Sequence, residues 1–99
     1  MLTHEEILNE LNQRITELKE EFSVSRIGVF GSLVRNEAKP ESDIDILVDL
    51  ADPTFDHYMD LKFYLEKLFK RSVDLVMAET VKPRIKPIID QEVIYAQGL

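Results

Sequence analysis

Apolar residues at Ile7, Leu11, Ile15, Leu18 and Phe22 recur at spacings of four, four, three and four, the period of one helical stripe. Thr3 and Glu6 supply a Thr-x-x-Glu capping box ahead of it, and Leu2 is placed to staple onto Ile7. The period then changes. Arg26 to Phe30 reads as a strand ending at Gly31, Ser32 to Asn36 as one or two helical turns, and Glu37 to Ser42, with Pro40, as a loop. Asp43 to Val48 alternates, with Ile44, Ile46 and Val48 on one side and Asp43 and Asp45 on the other. Asp52-Pro53-Thr54 opens a second long helix, whose predicted inward stripe is Phe55, Tyr58, Leu61, Leu65 and Leu68. Ser72 to Met77 reads as a third strand with Asp74 among Val73, Leu75 and Val76. After Val81, Pro83 and Pro87 break the pattern into a short turn and a last helix through about Ile94. The order α-β-α-β-α-β-α with short connections predicts one small α/β domain over residues 1–99.

Composition narrows the class of protein more than it changes this picture. With 44% hydrophobic and 31% charged residues, the chain reads as an ordinary water-soluble domain. It has no cysteine, which excludes disulfides and thiolate metal sites and suits a reducing, cytoplasmic setting. No apolar run approaches the roughly 20 residues needed to cross a bilayer, so no membrane association is expected. A net charge of −7 argues against direct binding of long nucleic acid, which calls for a basic surface. The charge is uneven, however: Lys62, Lys67, Lys70, Arg71, Lys82, Arg84 and Lys86 all fall within residues 62–86. That half, with the aromatics Phe55, Tyr58 and Tyr64, is the expected docking surface for a partner, or else a solvated basic face.

The chemistry concentrates in the middle of the chain. Two carboxylates spaced i, i+2 on a strand share a face, so Asp43 and Asp45 can hold a hard cation between them. Acidic side chains inside an apolar strand repel one another, and a divalent cation would offset that cost. Gly31-Ser32, ending the preceding strand, offers backbone N–H groups and a hydroxyl to an anion such as phosphate. Asp74, on the neighbouring strand, adds a third carboxylate. A cation site beside an anion site describes a metal–nucleoside triphosphate centre, in which two magnesium ions would act. In such a centre two metal ions roughly 4 Å apart relieve charge on the attacking and leaving oxygens. Asp43 and Asp45 would bridge both ions, and Asp74 would serve the metal beside the attacking hydroxyl and accept its proton. Other phosphate sites fit poorly: Gly28-Val29-Phe30-Gly31 is neither a dinucleotide fingerprint nor a P-loop, and His4 and His57 lie too far apart for a zinc pair.

Gly31-Ser32, ten residues, then Asp43-x-Asp45 resembles the signature of the DNA polymerase β-like nucleotidyltransferases. Over Ile27 to Val48 the chain looks like the minimal nucleotidyltransferases (MNT) of bacteria and archaea, which are encoded beside HEPN-domain partners. The likeness continues through Phe55-Asp56-His57-Tyr58-Met59-Asp60-Leu61, Ser72 to Val76 and Glu92-Val93-Ile94-Tyr95. The resemblance implies a small mixed sheet flanked by helices, the polymerase β-like palm. It implies nucleotide-binding positions at Gly31 and Ser32, metal and catalytic positions at Asp43, Asp45 and Asp74, and a Gly-Ser-x-x-Arg position at Arg35. Arg35 would either contact phosphate or steady the loop through an ion pair. The family often has glycine after this arginine. Asn36 stands there instead, the non-glycine residue best suited to a left-handed turn. The implied function is Mg²⁺-dependent transfer of AMP from ATP to a tyrosine of a HEPN ribonuclease toxin, which the MNT protein thereby neutralises as antitoxin. Two alternatives stand beside it: a non-catalytic antitoxin that occludes the toxin, and nucleotidyl transfer to a small molecule. Unpaired buried carboxylates would be costly without a metal, which counts against the first. A chain this short leaves no room for an acceptor-binding domain, which counts against the second.

Overall fold

Thr3 caps the first helix as the sequence predicts, its hydroxyl oxygen accepting the Glu6 N–H at 3.2 Å, and Leu2 packs against the core beneath it. The computed structural model describes residues 2–97. Its elements are α1 (His4–Gln13), α2 (Ile15–Phe22), β1 (Val24–Phe30), a 3-10 turn (Gly31–Leu33) and β2 (Ile44–Leu50). There follow α3 (Phe55–Phe69), β3 (Val73–Met77), a second 3-10 turn (Ala78–Thr80), α4 (Lys86–Glu92) and β4 (Ile94–Tyr95). The strands form one mixed sheet in the order β3-β2-β1-β4, with β2 and β3 parallel and the other two pairs antiparallel.

The core lies between α1–α3 and one sheet face. Ile7, Leu11, Leu18, Leu61 and Leu65 meet Ile27, Val29, Ile44, Ile46 and Val48, all at 0–1% exposure. The alternation of β2 is therefore realised on the face the pattern assigns. The opposite face is apolar only farther along the strand, where Leu47 is buried near Ile89 of α4 and Tyr95 of β4.

Four expectations need correction. The first helix is two: Arg14 leaves helical geometry at φ −114°, ψ 17°, and the ladder restarts from its carbonyl. The stripe keeps its phase across the break, so periodicity alone did not register it; the β-branched pair Ile15–Thr16 follows directly. Phe55 does not face inward. It is the first residue of α3 and is 76% exposed. The last helix stops at Glu92, and Ile94–Tyr95 pairs with β1 as a fourth strand too short to display alternation. The aromatics of the expected docking half do not form one patch. Tyr64 tilts onto Phe22 and donates to Glu17, while Tyr58 donates to the Leu75 carbonyl at 2.6 Å.

Candidate active site

Gly31 turns the chain out of β1 at φ +79°, a region in which a side chain is strained. A Cβ on it would lie 2.1 Å from Asp45 Oδ2, so the close approach of turn to carboxylate requires glycine. The Ser32 backbone N–H lies near the Asp45 carboxylate and favours its charged form. The turn then closes on itself, with the Val34 and Arg35 N–H groups donating to the Gly31 carbonyl at 3.1 Å. Asn36 adopts the left-handed conformation at φ +64°, as the sequence predicts for the residue standing in glycine's place.

The carboxylates come from the two parallel strands. Phe30 is paired with Asp45 across β1 and β2, and Asp45 with Asp74 across β2 and β3, which puts Asp45 and Asp74 level on one sheet face. Asp43 precedes β2 by one residue and is held by the loop behind it. Arg71 donates to the Ser42 carbonyl and to the Lys39 carbonyl, and Ser42 Oγ accepts the Lys39 N–H at 3.0 Å. Arg71 thus fastens the approach to the site; the sequence reading counted it only among the basic residues.

Burial differs among the three. Asp43 and Asp74 are exposed and Asp45 is half-buried, so the expectation of three buried carboxylates holds only in part, for Asp45. Asp45 is pushed up to about 6, first by burial and then by the charge of Asp74; the Ser32 N–H opposes this, Asp43 adds to it, and Arg35 opposes it. The site face thus carries uncompensated negative charge. Among the described residues, no three carboxylate or imidazole side chains converge tightly enough to enclose an ion by themselves.

Arg35 lies on the far side of the turn. Its Nη1 donates to both oxygens of Glu92 at 3.0 and 3.1 Å, and its Nε reaches Glu37 at 3.4 Å. Glu92, and secondarily Glu37, hold the guanidinium above its ordinary pKa. Glu92 Oε2 also accepts the Gly31 N–H at 2.5 Å. Glu92 was not read from the sequence as part of the site. It stands 61 residues beyond Gly31, and no local spacing marks it.

Residues 11–96 match the model of the family described as nucleotidyltransferase domain. The protein adenylyltransferase MntA of Thermococcus cleftensis is 48% identical over 96 residues, covering 96% of this chain and 97% of the relative. Of solved structures, one described as a minimal nucleotidyltransferase superposes with a TM-score of 0.77 at 31% identity, covering 94% of this chain and 95% of its own. A chain from the complex of a tri-AMPylated Shewanella oneidensis HEPN toxin with MNT antitoxin superposes with a TM-score of 0.64 at 21% identity. That match covers 93% of this chain and 73% of the other, and it bears on the fold alone. The α/β sheet, the glycine turn against Asp45 and the near full-length likeness agree. The chain belongs to the nucleotidyltransferase domain family and is an enzyme of that class.

Proposed function

We propose that this enzyme transfers AMP from ATP to a tyrosine hydroxyl of a HEPN-domain toxin and acts as that toxin's antitoxin. The observation that carries the reading is the packing of the Gly31–Ser32 turn directly on Asp45, with Asp74 level beside it. The 48% identity to an archaeal protein adenylyltransferase supports the choice of AMP and of a protein acceptor. The likeness of fold to a chain from a HEPN toxin–MNT antitoxin complex supports the choice of partner.

In this reading Gly31 and Ser32 receive the phosphates, the glycine by admitting them close to the backbone and the serine through its hydroxyl. Arg35, at the turn's outer end, adds a guanidinium to the same anion. Asp43, Asp45 and Asp74 fit magnesium: they are oxygen donors on an over-negative face, and an open set suits an ion that keeps waters and takes phosphate oxygens. When bound, Mg²⁺ would supply charge neutralisation at the phosphates and at the attacking oxygen. In this reading Asp74, which is exposed, takes the proton of the acceptor hydroxyl. The acceptor oxygen bonds to the α-phosphorus, the bond from that phosphorus to the bridging oxygen breaks, and pyrophosphate leaves.

The exposed Phe55 rims an apolar groove of about 410 Å³ along the outer edge of β3, lined by Pro53, Tyr58, Leu75 and Val76. In this reading the acceptor protein docks along this groove, whose lining includes Leu75, next in sequence to Asp74. Intact mass of a HEPN-domain toxin incubated with this protein, ATP and Mg²⁺ tests the proposal. Increments of one AMP, lost with Asp43→Asn and with Tyr→Phe at the modified residue, are expected. A toxin neutralised with no mass change would instead establish occlusion without catalysis.

A further inference from the structure

We propose that Glu92 is a positioning residue of the nucleotidyl-transfer site, the anchor that sets the Gly31–Ser32 turn and aims Arg35; this rests on reading that turn as the phosphate element. Three contacts converge on one carboxylate: the Gly31 N–H at 2.5 Å and two bonds from Arg35 Nη1 at 3.0 and 3.1 Å. The Glu92 side chain is only 15% exposed, while that of Arg35 is 46% exposed. The inner end of the pair is therefore the glutamate and the outer end the arginine.

The sheet explains why a side chain is needed here. β1 and β4 pair Gly28 with Tyr95 and Val29 with Ile94. Carried two residues farther, that antiparallel register brings Gly31 level with Glu92, where the chain is already in α4. The helix cannot offer a ladder carbonyl at this point, and the Glu92 carboxylate accepts the Gly31 N–H in its place. Gly31 is thus gripped from two sides, by Asp45 against its Cα and by Glu92 at its N–H. Since Ser32 follows directly and Gly31 lies against Asp45, the separation between the anion-binding turn and the carboxylates is set by this grip.

Arg35 is oriented by the same group. Its Nη1 and Nε are engaged by Glu92 and Glu37, whereas Nη2 donates to no protein group among the described residues. A guanidinium held at two nitrogens presents the third in a defined direction, which lowers the ordering cost of meeting a phosphate.

A carboxylate near a phosphate site has one rival role, that of an anion the nucleotide displaces. The Gly31 N–H faces the β4 side and Asp45 lies on the β2 side, so Glu92 does not occupy the side of the turn that faces the aspartates.

The test measures two quantities on wild type, Glu92→Ala and Glu92→Gln. The first is the Gly31 amide resonance in nucleotide-free protein, expected well downfield in wild type, shifted upfield in Glu92→Ala and largely kept in Glu92→Gln. The second is turnover with Mg·ATP. Loss of a charge-assisted anchor should raise the KM for ATP about ten-fold in Glu92→Ala while kcat at saturation stays within about three-fold. Glu92→Gln retains an acceptor oxygen of the same reach and should recover most of that loss. If Glu92→Ala does not fold, Glu92→Asp, one methylene short of Gly31, replaces it with the same expected result. Glu92→Ala binding ATP as well as wild type, or more tightly, overturns the role. Wild type that fails to bind Mg·ATP at all overturns the phosphate reading beneath it.

Discussion

Along β2, Ile44, Ile46 and Val48 turn to the helices at 0–1% exposure, whereas Asp45, and Asp43 at the strand's entrance, turn to the other face. The first set packs within the hydrophobic core and stabilises the fold through area removed from water. The second set is held in mutual repulsion: Asp45 is desolvated and lies level with Asp74. One strand therefore carries a face that supports stability and a face that opposes it. The opposing face is where a charged ligand gains most, because binding relieves a cost already present.

Single substitutions on the two faces separate these roles most sharply. Asp43→Asn or Asp45→Asn should lower AMP transfer by about a thousand-fold or more, with the unfolding midpoint held or raised. Ile46→Ala, one residue away, should destabilise by about 2–5 kcal/mol in denaturant titration and leave the kcat of the folded fraction nearly unchanged. Wild-type transfer by either asparagine variant would remove the contrast altogether.

Gly31→Ala brings the two kinds of effect together. The φ of +79° and the 2.1 Å approach to Asp45 Oδ2 leave no room for a Cβ, so the turn must move. About 1–3 kcal/mol of stability should be lost. Calorimetry with Mg·ATP should find binding greatly weakened. Unaltered ATP binding would detach the turn from the nucleotide.

A smaller effect follows from protonation. The Asp45 carboxyl titrates at about 6 in the fold against 3.8 for an unperturbed group, so between those values the folded chain holds the extra proton. Metal-free protein should lose stability as pH rises through that window and stay level above it. With partial solvent screening the loss should be about 1–2 kcal/mol. Asp45→Asn should flatten the profile in thermal melts run without divalent ions, and an equally steep asparagine profile would assign the charge cost to another group.

The smallest expected effect concerns the partner. Lys86 is already paired with Asp90 at 2.9 Å, which leaves Lys82 and Arg84 as the exposed cations of that stretch to reverse. Changing both to Glu should slow toxin association several-fold at low ionic strength, with little change at high salt or in the dissociation rate. Association unchanged at low salt would make this stretch a solvated face.

What the sequence disclosed and what it withheld divide along one physical line. The Thr3 cap, the alternation of β2 and the left-handed Asn36 are local, each readable from a few neighbouring residues. Asp43, Asp45 and Asp74 were legible because acidic residues at or inside apolar strands stand out against their surroundings. The Arg14 break left the stripe in phase, and β4 is a strand only because β1 lies beside it. Glu92 and Arg71 act through contacts 61 and 29 residues distant, on backbone groups that no pattern advertises.

The order of strands also bears on the timing of synthesis. β1 is the first strand made, yet it occupies an inner place, and its outer neighbour β4 is the last. Until Ile94–Tyr95 exists, the outer edge of β1 has no partner and the Ile27 carbonyl lacks the Ala96 N–H that it receives at 2.8 Å. Translation delivers roughly 5–20 residues per second, so a nascent chain passes about one to four seconds with three aspartates in hand but an unfinished sheet. Asp43, Asp45 and Asp74 are thus made before the strand that completes the sheet beside β1. A chain interrupted after β3 would carry Asp43, Asp45 and Asp74 and still be without Glu92 and the closing strand.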